Sequence, residues 1–278
     1  MSGEPVVGTN KRSRAKLTAP AIVDMKRRGE LITVVTAYDF PTARLADEAG
    51  VEMLLVGDSV GTVVLGYEST LPVTMADMLH HVKAVTRART AALVIADMPF
   101  MSYQASVEQA VLNAGRFVQE AAADAIKLEG GERVVEAVRA IVAAGIPVCG
   151  HLGLTPQSVL AFGGYKVQAR GEADQERLIR EAKALEAAGC FALVLEGIPA
   201  KLGALVSREL QIPTIGIGAG VDCDGQVLVT HDMMGLYLGR TAKFVRRYAD
   251  LGTAMREGFV RYVADVKAKR FPGEAESY

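Results

Sequence analysis

The chain has 278 residues, half of them hydrophobic and 23% charged, with a net charge of −1. That is the balance of an ordinary globular protein with room for one large core, and it contains no basic block of the kind that binds nucleic acid or an anionic membrane surface. No apolar run approaches the roughly 18 residues of a membrane span. The first 20 residues carry Lys11, Arg12, Arg14 and Lys16 around no apolar core, so they do not resemble a secretory signal. Cys149, Cys190 and Cys223 are odd in number and include no CxxC pair, which argues against disulfides and a zinc–thiolate site. A cytoplasmic enzyme is the expectation.

Along the chain, short apolar runs alternate with segments of helical period. Strands are expected at residues 31–37, 52–57, 92–96, 125–128, 146–150, 191–195 and 212–217, with a weaker eighth at 226–230. Runs of four or five apolar residues suit parallel strands buried on both faces. Between them, Val107, Val111, Ala114, Val118 and Ala121 share a helix face opened by Ser106 and Gln109 in a capping-box pattern. Leu178, Ala182 and Leu185 mark a second helix, with Asp174 as its expected N-cap. Gly50, Gly145 and Gly189 each follow a helical segment and precede a strand, where glycine takes the left-handed C-cap conformation at little steric cost.

This alternation predicts a single-domain α/β fold, a (β/α)8 TIM-type barrel over about residues 31–240. An N-terminal arm (1–30) and a C-terminal helix and tail (241–278) flank it, the helix spanning 242–267 and the polar tail 271–278. A doubly wound open sheet is the competing fold, which periodicity alone leaves open. The connections 58–77 and 150–174 are long enough to be functional loops.

Four apolar runs end in carboxylates: Asp58, Asp97, Glu129 and Glu196. In a parallel barrel all strand C-termini meet on one face, where catalytic sites are built. Asp58 and Asp97, with Glu129 nearby, suit magnesium, which takes one or two protein carboxylates and keeps positions for water and substrate; the alternative for each is a helix cap. Lys127 lies two residues before Glu129, hence on the same side of its strand. Its burial requires a partner, either Glu129 or an anionic substrate. His151, at a strand end, would orient substrate or a carboxylate, or satisfy loop backbone. Glu196, preceded by apolar residues, is a candidate general base whose poor solvation would move its pKa towards neutrality. Residues 215–220 (Ile-Gly-Ile-Gly-Ala-Gly) form a weak phosphate-loop or turn signal, and His80, His81 and His231 show no ligand spacing.

Longer blocks carry a specific resemblance. Thr36-Ala37-Tyr38-Asp39, Val56-Gly57-Asp58-Ser59, Ala96-Asp97-Met98-Pro99-Phe100, Lys127-Leu128-Glu129-Gly130-Gly131, residues 147–157 (PVCGHLGLTPQ), Phe162-Gly163-Gly164-Tyr165-Lys166-Val167-Gln168 and Val194-Leu195-Glu196 resemble ketopantoate hydroxymethyltransferases. The resemblance implies a (β/α)8 barrel in a large homo-oligomer, typically a decamer. The implied reaction moves a one-carbon unit from 5,10-methylenetetrahydrofolate to 3-methyl-2-oxobutanoate, giving 2-dehydropantoate with Mg2+ as cofactor. Matched by motif, Asp58 and Asp97 would be metal ligands, with Glu129 as the metal-associated carboxylate. Ser59, Asp58, Asp97 and Lys127 would bind substrate, and Glu196 would be the proton acceptor. Two positions depart from the pattern: Gly197 stands where many relatives carry cysteine, and Ala169 interrupts a usual Gln-Gly-Arg. A magnesium-dependent lyase or mutase acting on another 2-oxo acid is the other enzyme that these residues accommodate. A catalytically silent barrel is disfavoured, having no reason to keep costly charges at its strand ends.

Overall fold

A computed structural model describes residues 14–237, 239 and 241–278; Lys11 and Arg12 of the basic stretch lie outside them. Eight parallel strands close into a barrel in sequential order: β1 (Ile32–Thr36), β2 (Met53–Val56), β3 (Leu93–Asp97), β4 (Ala125–Lys127), β5 (Val148–Gly153), β6 (Ala192–Glu196), β7 (Thr214–Ile217) and β8 (Gly225–Leu228). β8 pairs back onto β1, Ile32 beside Gly225 and Val35 beside Leu228, which excludes the open sheet.

Period-two alternation divides the core in two. Val34, Met53, Ile95, Cys149, Val194, Ile215 and Val227 point inward and fill the barrel. Leu54, Val94, Ile126, Val148 and Leu193 point outward against the surrounding helices. This explains why the strands read as unbroken apolar runs. The helix Ala19–Arg27 seals the N-terminal end, inserting Ile22 and Met25 beneath the inward layer. Lys26 Nζ then fastens it to Asp224 Oδ2 (2.9 Å) and the Ile212 carbonyl (3.0 Å). The opposite end is therefore the mouth of the barrel.

Local signals fared unevenly. Gly50, Gly145 and Gly189 take φ of +94°, +85° and +103° behind their helices, as expected. Ser106 accepts the Gln109 N–H, but the reciprocal half of that box is not formed. The helix Glu172–Ala187 is capped at Gly171, placing Asp174 inside its first turn. A complete capping box stands instead at Thr74 and Asp77, opening the helix Met75–Thr86 within the expected loop 58–77. The C-terminal helix runs from Leu251 to Lys267, capped by Asp250, rather than beginning at 242. Ala169, where the family pattern has glycine, sits at φ +51°.

Candidate active site

β5 decides the geometry of the mouth. It continues to Gly153, three residues past its expected end, so His151 lies within the strand rather than at its tip. The extension pairs with β6 in register, Gly153 beside Glu196. Gly153 has φ +94°, and a Cβ there would lie 2.2 Å from the Glu196 carbonyl oxygen, so only glycine lets the strands run this close. His151 and Glu196 consequently share the inner face of adjacent strands, with His151 Nε2 3.3 Å from Glu196 Oε2.

The other side chains follow from register. Asp97 pairs with Lys127, and Lys127 Nζ donates to Asp97 Oδ1 at 2.7 Å. Lys127 also pairs with Cys149, so two residues on, Glu129 lies beside His151, its Oε1 3.3 Å from Nδ1. Lys127 lies 3.7 Å from Glu129 and is 4% exposed, so its closest partner is Asp97 rather than Glu129. The Asp58 N–H donates to Asp97 Oδ2 (3.2 Å), and Ser59 Oγ lies 2.8 Å from the Tyr38 hydroxyl. Thus Asp58, Ser59, Asp97, Lys127, Glu129, His151 and Glu196, drawn from five strand ends, line one cavity of about 170 Å3. The lower wall is apolar, formed by Leu55, Val194, Ile217 and Val227.

Charge at this mouth is unbalanced. Asp58, Asp97, Glu129, Glu196 and Asp232 face the cavity against Lys127. Burial, then the neighbouring Asp97 and Glu129, holds the Asp58 carboxyl well above the usual aspartate range. Burial raises Asp97 as well, against the pull of Lys127. Burial opposes protonation of Lys127, but the surrounding carboxylates outweigh it and raise its pKa. At His151, burial and Lys127 again oppose protonation, while Glu129 and Glu196 prevail and lift it to about 9. Neither imidazole nitrogen is aligned for a hydrogen bond with its carboxylate, nor is Glu129 Oε1. The Glu196 side chain is 15% exposed and has a polar neighbour, the His151 imidazole, beside the cavity's apolar wall.

Asp232 also lines the cavity, and Tyr38, Tyr103 and Gln157 stand behind it, bonded to Ser59, Glu129 and Asp58; the sequence assigns none of the four a role. Tyr38, Gln157 and Asp232 lay in or beside recognisable blocks and periodic segments, but nothing in their spacing marked them. The glycine-rich residues 215–220 do not form the cavity's polar wall; Ile217 contributes an apolar contact instead.

A sequence profile described as ketopantoate hydroxymethyltransferase matches residues 16–274, nearly the whole chain. The chain belongs to the ketopantoate hydroxymethyltransferase family. Among its relatives, the 3-methyl-2-oxobutanoate hydroxymethyltransferases of Syntrophus aciditrophicus and Moorella thermoacetica are each 57% identical, over 95% of this chain and 97% and 98% of their own. The chain is accordingly an enzyme, a hydroxymethyltransferase acting on 3-methyl-2-oxobutanoate. Solved structures that resemble it include a phosphonopyruvate hydrolase in complex with oxalate and Mg++ (TM-score 0.64, 15% identity, 94% of this chain and 93% of that one). A 2,3-dimethylmalate lyase also resembles it (TM-score 0.58, 18% identity, 92% and 90%). At such identities these two share the fold alone, so the lyase alternative gains nothing from them. Among the described residues, no helix is long and apolar enough to cross a membrane.

Proposed function

We propose that the cavity at the strand C-termini is where 3-methyl-2-oxobutanoate loses its C3 proton to Glu196, with Asp58 and Asp97 holding a magnesium ion and Glu129 supporting it. The observation that carries this reading is the clustering of five acidic side chains around one buried lysine and one imidazole. A 2-oxo acid is itself an anion, and acidic side chains outnumber Lys127 and His151 in this mouth, so a divalent cation between substrate and carboxylates favours its binding. Among the described residues, no three His, Cys, Asp or Glu side chains already surround a common metal position. Two aspartates nevertheless fit magnesium, which rarely occupies an all-protein cage and leaves positions to water and substrate oxygens. Asp58 Oδ1 takes no hydrogen bond among the described residues and is free for this duty. When bound, magnesium supplies Lewis-acid stabilisation of the charge that develops on the 2-oxo group.

The protein's own groups do the rest. Lys127, held by Asp97, offers the substrate a fixed positive charge at the cavity floor. Ser59, oriented by Tyr38, donates or accepts at the substrate's polar end. The branched alkyl group lies on Leu55, Val194, Ile217 and Val227, which presents C3 towards Glu196. His151, 3.3 Å from Glu196, supports the proton acceptor electrostatically from the neighbouring strand. The one-carbon donor is 5,10-methylenetetrahydrofolate. Its bulk extends beyond the cavity, because about 170 Å3 falls short of the roughly 300 Å3 at which drug-sized sites begin.

The same reading makes the enzyme a homo-oligomer, in keeping with a decamer. The helix Leu251–Lys267 buries none of its residues, and it presents Met255, Phe259, Val260 and Val263 to the exterior. Such a face is covered by another copy of the chain in an oligomer.

Proton NMR of 3-methyl-2-oxobutanoate in D2O tests the chemistry. Wild-type enzyme with magnesium exchanges the C3 proton, and added folate donor then yields 2-dehydropantoate. Glu196→Gln slows exchange by about 10²–10⁴-fold, the usual contribution of a positioned base. Exchange at the wild-type rate in that variant removes Glu196 from the role.

A further inference from the structure

Behind the carboxylates lies a closed hydrogen-bond circuit that no part of the mechanism above uses. Gln157 is buried in the short helical turn Pro156–Ser158 that follows β5, and every polar atom of its side chain is engaged. Its Nε2 donates to Asp58 Oδ2 (3.0 Å) and to the Met98 carbonyl (2.9 Å). Its Oε1 accepts from the Tyr103 hydroxyl (2.7 Å) and from Gln104 Nε2 (3.0 Å). Its backbone N–H donates to Glu129 Oε2 at 3.0 Å. The orientation of the amide is forced, because the Met98 carbonyl can only accept, and the nitrogen must face it.

Tyr103 closes the circuit. Its hydroxyl has a single proton, which goes to Gln157 at 2.7 Å in preference to the Glu129 carbonyl at 3.2 Å. The same oxygen accepts the Glu129 N–H at 3.0 Å. The chain of donors therefore runs from the Glu129 backbone through Tyr103 and Gln157 to Asp58, and Gln157 returns to the Glu129 carboxylate. One residue thus holds two carboxylates that come from different strands, Asp58 by its side-chain amide and Glu129 by its backbone N–H, and it ties both to the loop after β5. Asp58 Oδ2 is occupied by Gln157, Oδ1 takes no hydrogen bond among the described residues, and Asp58 lines the cavity.

We infer that Gln157 is a positioning residue for the metal site: it presets Asp58 and Glu129 for a divalent cation, and Tyr103 holds it in the correct amide orientation. This rests on the magnesium reading given above. Outer partners of metal ligands characteristically cost about ten- to a hundredfold in metal affinity when removed. Methionine matches the length of glutamine without its amide, so Gln157→Met removes the side-chain links to Asp58, Met98, Tyr103 and Gln104 with little change of volume, while the backbone N–H to Glu129 is kept.

The test is Mn2+ binding to the full-length enzyme, followed by the electron paramagnetic resonance of the free ion, beside metal-dependent kinetics and a circular-dichroism melt. Gln157→Met is expected to raise the Mn2+ Kd by about ten- to a hundredfold. In turnover the loss should fall mainly on the metal concentration for half-maximal rate, with kcat largely recovered at saturating metal. Tyr103→Phe should weaken Mn2+ in the same direction by less, and the double variant should be no weaker than Gln157→Met alone. A merely structural role would lower the melting temperature and leave Mn2+ affinity within twofold of wild type, which overturns the inference. If Gln157→Met does not fold, Tyr103→Phe decides by the same criterion. If the wild-type enzyme itself binds no Mn2+, the magnesium reading falls and this inference with it. Wild-type binding that the variants leave unchanged overturns the role of Gln157 alone.

Discussion

Lys127→Met isolates what the buried charges cost. Lys127 lies 2.7 Å from Asp97 and 3.7 Å from Glu129, and it is the only cation among the cavity's lining residues apart from His151. At an effective dielectric of about 20, those contacts are worth roughly 6 and 4 kcal/mol of attraction. Much of that is consumed in desolvating the ions, and removing one partner of a buried pair typically leaves a net loss of about 3–5 kcal/mol. The pH dependence makes the prediction specific. Asp58 and Asp97 already titrate above 3.8 in the fold, burial being the first cause and Lys127 the restraint. Without Lys127 both rise further. A carboxyl whose folded pKa is raised contributes stability fully present below its unfolded pKa, and that contribution is lost as pH rises through the folded value. The variant should therefore resemble wild type most closely near pH 4 and fall progressively behind above it. Each additional carboxyl kept protonated in the fold steepens the decline by about 1.4 kcal/mol per pH unit. Melts in EDTA at one protomer concentration, at pH 5.5 and pH 8, measure this, with a deficit of roughly 5–9 °C at the upper pH. A deficit below about 1 kcal/mol, or one equal at both pH values, refutes a charge network centred on Lys127.

Gly153→Ala places a methyl 2.2 Å from the Glu196 carbonyl at φ +94°. It should destabilise the fold by at least about 1–3 kcal/mol and reduce C3 exchange by parting His151 from Glu196; an unperturbed melt together with wild-type exchange would contradict the role given to β5. Phe259→Asp, on the exposed face of the C-terminal helix, should yield a smaller assembly by light scattering. A particle mass unchanged from wild type would remove that face from the interface. Asp97→Asn should weaken Mn2+ binding by at least tenfold, since an outer partner alone is worth that much. Unchanged titration would take Asp97 out of the metal set.

What the sequence made legible was whatever depends on one strand at a time. Parallel strands buried on both faces leave continuous apolar runs, and a carboxylate closing each run marks the mouth; hence Asp58, Asp97, Glu129 and Glu196 could be placed before the fold was known. Period two sufficed to put Lys127 and Glu129 on one side of β4. Partners were a different matter, since choosing Asp97 over Glu129 for Lys127 requires the register of β3 against β4. The sequence predicts an earlier end for β5 than the structure shows, because Cys149-Gly150-His151-Leu152-Gly153 has few β-formers. Its last residues are held by pairing with β6 rather than by propensity, and its two glycines are there to admit neighbours: a Cβ on Gly150 would lie 2.9 Å from Leu193.

The C-terminal helix shows the limit from the other side. Its apolar residues predict a helix, but periodicity in one chain does not say against which surface they pack, and here its own barrel gives them none. Gln157 is harder still. A glutamine in a loop and a tyrosine 54 residues earlier share no pattern, and they meet only because the pairing of β3 with β4 and of β4 with β5 brings the ends of these strands together. Chemistry that resides in a side chain's charge survives projection onto one dimension; chemistry that resides in the arrangement of neutral donors does not. The carboxylates could thus be found without the fold, and the group that orients them only with it.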